Sequence, residues 1–261
     1  AARYNNEEAV GRALKEWTQE HNVPRSEIFI TSKLWDADHS NAAQAIDDSL
    51  RKLQLDYIDM YLIHSPEPGE ESFLQAWKGL EAAVDAGKIR TIGVSNFDVE
   101  HLDALLRNCR IKPAVNQIES HPFFAHEVLR SQTIERGIQI EAYSPMAQGA
   151  ALEREEIKAI ASKHNKTPAQ VLLRWGLQLG NIILPKSLTK HRIEANAQLF
   201  DFELDNDDMD VLNGLDEGMK MGKLGPPGTS APASPGATRP GSRRGSGSAG
   251  LAGNKLQMSS S

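Results

Sequence analysis

The sequence has little of what usually announces a function. A single cysteine, Cys109, in 261 residues excludes a disulfide framework and a cysteine-built zinc module. No apolar run approaches the roughly 20 residues of a membrane-spanning helix, and the first residues carry no signal-peptide pattern. No G-x-G-x-x-G lies between a β-branched run and a helical pattern, and there is no Walker A sequence, so the usual openings of a nucleotide-binding open sheet are missing. Basic charge is scarce too. A formal net charge of −6 argues against a surface built to grip nucleic acid.

That average hides two unlike parts. Residues 222–261 contain 9 Gly, 8 Ser and 5 Pro, with five bases and no acid. So few large apolar side chains cannot offset the entropy of ordering, and this segment is expected to be a disordered basic tail. Within it, Arg243-Arg-Gly-Ser246 has the look of a basophilic kinase site. The body, residues 1–221, then holds 24 bases against 35 acids, a net −11.

The body repeats one phrase: a short β-branched run, a polar turn and a helix with apolar spacing. The runs are 28–32, 57–63, 89–94, 114–118, 138–142 and 182–184. The helical patterns are 7–19, 41–53, 72–86, 99–108, 126–136 and 153–179. The last is expected to be two helices, because Asn165-Lys-Thr-Pro168 reads as a stop, a cap and a first-turn proline. Such alternation predicts βαβ units and a parallel sheet. The unusual polar residues end the runs: Lys33, His64, Ser95-Asn96, Gln117, Tyr143 and Lys186-Ser187. A (β/α)8 TIM barrel keeps its chemistry at strand C-termini, so the pattern favours a barrel over an open sheet. Only six strands are visible where eight are needed. The expectation is a barrel incomplete at its N-terminus, with the first two strands upstream of Ala1.

Seven segments resemble, in order, the motifs of one known family. Ala1-Ala-Arg-Tyr4-Asn-Asn-Glu7 resembles the end of the family's motif in which an Asp precedes the catalytic Tyr. Thr31-Ser-Lys33-Leu-Trp35 is similar to the segment with the catalytic Lys, and Tyr61-Leu-Ile-His64-Ser-Pro66 to that with the catalytic His. Gly93-Val-Ser-Asn-Phe97, Asn116-Gln-Ile-Glu119 with His121-Pro122, Ala142-Tyr-Ser-Pro145 and Leu184-Pro-Lys-Ser187 follow in family order. Together these segments resemble the aldo-keto reductase family, and the resemblance fades after Gly218.

The resemblance implies NADPH-dependent reduction of an aldehyde or ketone to an alcohol. Tyr4 matches the proton donor, Lys33 the ammonium that tunes it, and His64 the imidazole that orients the carbonyl. Trp35 matches a pocket wall. The Asp that pairs with the lysine would lie before residue 1. Ser95, Asn96 and Gln117 match side chains that hold the nicotinamide carboxamide, and Tyr143, with Ser144 beside it, the stacking aromatic. Lys186, Ser187, Thr189 and Arg192 match the group around the adenosine 2′-phosphate. Asn196 matches an adenine contact, while Ala195 stands where the family often has Glu. The partner implied is a small-molecule carbonyl substrate, with no nucleic acid or membrane, in a cytoplasmic protein that is monomeric at full length. The alternative is a catalytically impaired barrel remnant that binds a nucleotide or regulates a partner.

Two further readings concern local roles. Ser95-Asn96 can serve as the N-cap of the 99–108 helix as well as a binding pair. His121 and His126 have no H-E-x-x-H spacing or carboxylate partner in sequence, so no metal site is expected.

Overall fold

The computed structural model describes residues 4–221; the expectations for the 222–261 tail and for Ser246 lie outside the described residues. Six strands form one parallel sheet in sequence order: β1 (Thr31–Leu34), β2 (Ile58–Ile63), β3 (Ile89–Ser95), β4 (Val115–Glu119), β5 (Gln139–Tyr143) and β6 (Ile182–Leu184). The helices are α1 (Glu7–His21), α2 (Ala42–Leu53), α3 (Glu70–Asp85), α4 (Val99–Asn108), α5 (Glu127–Glu135), α6 (Glu155–Lys163), α7 (Pro168–Gln178), α8 (Lys190–Ala197) and α9 (Asn206–Asn213). Six sequential parallel βα units are the substance of a (β/α)8 barrel, and among the described residues β1 and β6 each have one neighbour. No described helix is long and apolar enough to cross a membrane.

Side chains alternate across a strand, so register assigns every one to a face. On β2, Tyr61 and Ile63 join a core cluster with Phe73, Trp77 and Leu80 of α3 and Ile46 of α2. Met60 and Leu62 point the other way and meet Val115. Leu62 pairs with Lys33 on one side and Gly93 on the other. The ladder continues with Ser95 opposite Gln117, Gln117 opposite Glu141, and Glu119 opposite Tyr143. The face away from the helices therefore carries Lys33, Ser95, Gln117, Glu119, Glu141 and Tyr143, with Met60, Leu62 and Val115 packed below them.

Gly93 lies in that apolar layer because nothing larger fits. A Cβ there would stand 2.8 Å from Leu62 Cδ2 and from Val115 Cγ2. Gly93→Val is expected to cost about 1–3 kcal/mol by overpacking, read as a lower denaturant midpoint. An unchanged midpoint would mean that the layer has slack.

The local signals mostly act where the sequence places them. Thr167 caps α7 in a reciprocal box with Gln170, and Pro168 takes the first turn. The Ser95-Asn96 capping expectation is corrected: α4 is capped by Asp98, whose side chain accepts from the His101 N–H while His101 reaches back. The cap is three residues further on, which leaves Ser95 and Asn96 to other partners. The first strand also differs, occupying 31–34 instead of 28–32. The Ile30 N–H is taken by the Asp59 carboxylate at 2.9 Å, so it is unavailable to a ladder. Asp59 also accepts from Arg25 Nη2 at 2.6 Å, and the Arg25 and Arg90 guanidinium groups lie 4.4 and 3.8 Å from the Tyr57 ring centre. These groups tie β2 together at the end opposite the polar residues.

Candidate active site

The C-terminal strand ends bring five of the expected residues into one hydrogen-bonded network. The Lys33 ammonium, at the end of β1, donates to Gln117 Oε1 and to Ser95 Oγ, the latter at 3.3 Å. Ser95 Oγ in turn donates to the Gln117 carbonyl at 2.8 Å. The Gln117 amide uses its other end on Glu141, with Nε2 to Oε2 at 2.6 Å. Asn96 Nδ2 donates to the His64 carbonyl at 2.9 Å and to Ser95 Oγ at 3.1 Å, and the Tyr143 hydroxyl donates to Asn96 Oδ1 at 3.0 Å. Ser95, Gln117 and Glu141 are buried, so these bonds act in a medium that strengthens them and penalises any group left out.

Two backbone positions hold this arrangement open. Asn96 sits at φ 61° and Ser144 at φ 50°, both in the left-handed region directly after a strand. Asn tolerates that region through local side-chain bonds, whereas Ser occupies it at a cost of about 1–3 kcal/mol. The turn at Asn96 directs its amide back across the strand ends toward His64 and Tyr143. The turn at Ser144 ends β5 immediately after the Tyr143 ring, which stays half-buried.

His64 follows β2 and is buried beside Trp35, with ring centres 4.5 Å apart. Its Nδ1 faces Asp36 Oδ1 at 3.4 Å, a weak contact that fixes which nitrogen points away from the carboxylate. The 3-10 turn Asp36–Asn41 carries Asp36 and, three residues on, the buried His39, whose Nδ1 lies 3.1 Å from Ser72 Oγ. Burial holds His39 below the usual imidazole range, against the raising influence of Asp36 and Asp38. Burial does the same to His126, helped by the Lys220 charge. A lowered folded-state pKa means the unfolded chain binds more protons near and below pH 6.5. Stability is thus present above that value and lost as pH falls through it, by at most about 1.4 kcal/mol per pH unit for each histidine. Thermal midpoints taken between neutral and mildly acidic pH should show this loss, and His39→Gln should reduce it. An equal acid loss in His39→Gln would assign the effect elsewhere.

The other expected residues lie apart from this network. Lys186 and Ser187 follow β6, Thr189 stands at the N-cap of α8, and Arg192 and Asn196 lie on α8. Ser187 Oγ accepts from the Thr189 N–H at 3.2 Å, which shapes the turn. Lys186, Thr189 and Arg192 are exposed and, with the half-buried Ser187, form a strand–loop–helix surface with two cations and two hydroxyls. Tyr4 is 64 % exposed just ahead of α1, and no hydrogen bond between described residues joins it to Lys33 or His64. Glu7, at the start of the same helix, accepts from Ser32 Oγ of β1 at 2.7 Å and so anchors that end.

Glu141, Asp36 and Glu119 adjoin the candidate residues, though the sequence assigned none of the three a role. Glu119 is buried, 3.3 Å from His121 Nε2, and accepts from the Met221 N–H at 2.8 Å. The available signal is an acid inside or directly after an apolar run: Glu141 within Ile138–Ala142 and Glu119 next to 114–118. A buried carboxylate in a β-branched run has to meet donors.

The chain is similar over most of its length to known proteins. The profile of the aldo/keto reductase family matches residues 1–217. A glyoxal reductase of Bacillus subtilis is 48 % identical over 224 residues, which is 85 % of this chain and 79 % of that protein. A methylglyoxal reductase of Escherichia coli is 43 % identical over 224 residues, 85 % of this chain and 80 % of its own. Among solved structures, a Bombyx mori aldo-keto reductase in complex with NADP superposes with a TM-score of 0.81 at 34 % identity, covering 86 % of this chain and 79 % of that one.

Proposed function

Because the chain belongs to the aldo/keto reductase family, we propose that it reduces small reactive aldehydes to alcohols with NADPH. The observation that carries this reading is the Lys33–Gln117–Ser95–Asn96–Tyr143 network, with His64 joined to it through its backbone carbonyl. The donor set fits the cofactor. Ser95, Asn96 and Gln117 offer neutral hydroxyl and amide groups, which match an uncharged carboxamide, beside the half-buried Tyr143 ring and the Ser144 turn. Lys186, Ser187, Thr189 and Arg192 offer two cations and two hydroxyls suited to a dianionic 2′-phosphate, and Asn196 an amide for the adenine. NADPH supplies the hydride when bound.

The chain's own residues then have distinct tasks. A phenol with a pKa near 10 is a slow acid at neutral pH, and the Lys33 ammonium favours its ionised form. Tyr4 is the proton donor in this reading; its exposed phenol has to swing inward against Lys33 to act. His64 orients the carbonyl oxygen, with Asp36 steadying the ring, and Trp35 walls the pocket. The glyoxal and methylglyoxal reductases among the relatives point to small dicarbonyl aldehydes as substrates.

The test is NADPH titration followed by methylglyoxal addition, reading loss of nicotinamide absorbance. NADPH binding with turnover supports the reading; binding without turnover supports a nucleotide-binding role instead, and no binding overturns both. Arg192→Ala should weaken NADPH roughly tenfold or more and leave NADH nearly unchanged, as expected for a charged hydrogen bond to the 2′-phosphate. Equal weakening of both would remove Arg192 from the phosphate site.

A further inference from the structure

Gln117 is an amide with two different ends, and only one end suits a carboxamide N–H. Its side chain is held from both sides. The Lys33 ammonium can only donate, so it faces Oε1; the Glu141 carboxylate accepts, so it faces Nε2 at 2.6 Å. Gln117 and Glu141 are direct register partners on β4 and β5, and both are buried. Lys33 sits on a flexible four-carbon stem, whereas Glu141 is fixed within its strand.

We propose that Glu141 is a positioning residue for cofactor recognition: it locks the Gln117 amide so that Oε1, and not Nε2, is presented to the carboxamide NH2 of a nicotinamide dinucleotide. This rests on the reductase reading above and deepens it. An amide oxygen has two acceptor positions, so Oε1 can take the carboxamide N–H while Lys33 keeps the other. Without the carboxylate, Nε2 loses its buried acceptor, and the amide turns to find another. A turned amide would set a donor against a donor.

The test separates this role from a general effect on the pocket. Binding of NADPH is compared with binding of its reduced 3-acetylpyridine analogue, which has a methyl ketone where NADPH has the carboxamide. Both are followed by quenching of tryptophan fluorescence in the 261-residue chain. The unmodified protein should prefer NADPH by roughly tenfold, the scale of one hydrogen bond in a buried site. Glu141→Leu should bring that preference close to one by weakening NADPH alone. Glu141→Gln keeps the volume but adds a competing donor, and should lower the preference several-fold even if the leucine variant fails to fold. Equal weakening of both cofactors, or an undiminished preference in the variants, would overturn the proposal. So would the absence of any preference in the unmodified protein. Failure of the unmodified protein to bind either cofactor would instead overturn the reductase reading on which it rests.

Discussion

Lys33→Met is expected to lower the turnover of methylglyoxal by at least about 100-fold, while NADPH affinity does not fall. Methionine keeps the length of the side chain and removes the charge. Tyr4 as proton donor then acts without a neighbouring cation, and a positioned general acid contributes typically 10²–10⁴-fold. Cofactor affinity is spared because Gln117 Oε1 has a second acceptor position for the carboxamide, so that bond does not depend on the ammonium that Oε1 also accepts from. Paired measurements of kcat and of NADPH dissociation decide the matter. A variant that keeps a tenth of its activity, or loses cofactor affinity to the same extent as turnover, would place Lys33 outside the chemistry.

Trp77→Ala should be among the most damaging single truncations for stability, about 3–5 kcal/mol. Trp77 on α3 is among the largest fully buried side chains, and its Nε1 donates to the Ile111 carbonyl at 3.1 Å. The substitution leaves a cavity behind β2 and β3 and a carbonyl without its donor. For a chain of this size the thermal midpoint should drop by roughly 10 °C. Trp77→Phe should recover most of the packing but not the hydrogen bond. A drop under about 3 °C in the alanine variant would mean that α3 closes over the gap.

The sequence was most informative where structure is local. Val99–Asn108 and Ile182–Leu184 match their expected spans, and Thr167-Pro168 starts α7. Those elements depend on spacing, capping and β-branching, which neighbours in sequence set. The apolar stretch Ile28–Ile30 looks like a strand, yet the Ile30 N–H is taken by Asp59 from 29 residues away, and only its carbonyl accepts from Met60 of β2. Helix α9 went unseen for a similar reason. Its buried residues are only Asp208 and Leu212, and Asp208 is held by His164 at 2.6 Å and Lys163 at 2.9 Å from α6 and the residue following it. A helix fastened by a polar contact leaves a thin hydrophobic pattern.

The site divides along the same line. Residues at strand ends stand out because a polar side chain after a β-branched run is unusual, and that marks Lys33, His64, Ser95, Gln117 and Tyr143. What joins them does not stand out. The bond from Gln117 to Glu141 exists only because β4 and β5 pair with those two residues opposite one another, and one step of register would separate them. Tyr4 is the reverse case: its motif is legible in sequence, while the structure leaves its side chain exposed ahead of α1.

The strand order has a consequence for synthesis. From β2 to β6 each described strand pairs with the one translated just before it, so a nascent chain can add these βα units in turn without waiting for distant partners. The binding residues, however, are spread along that order: Lys33 on the first strand, Ser95 on the third, Gln117 on the fourth, Glu141 and Tyr143 on the fifth, Lys186 after the sixth. The emerging polypeptide could therefore gain most of its sheet before it could hold a dinucleotide, and ligand affinity would arrive late, as β5 and β6 leave the ribosome.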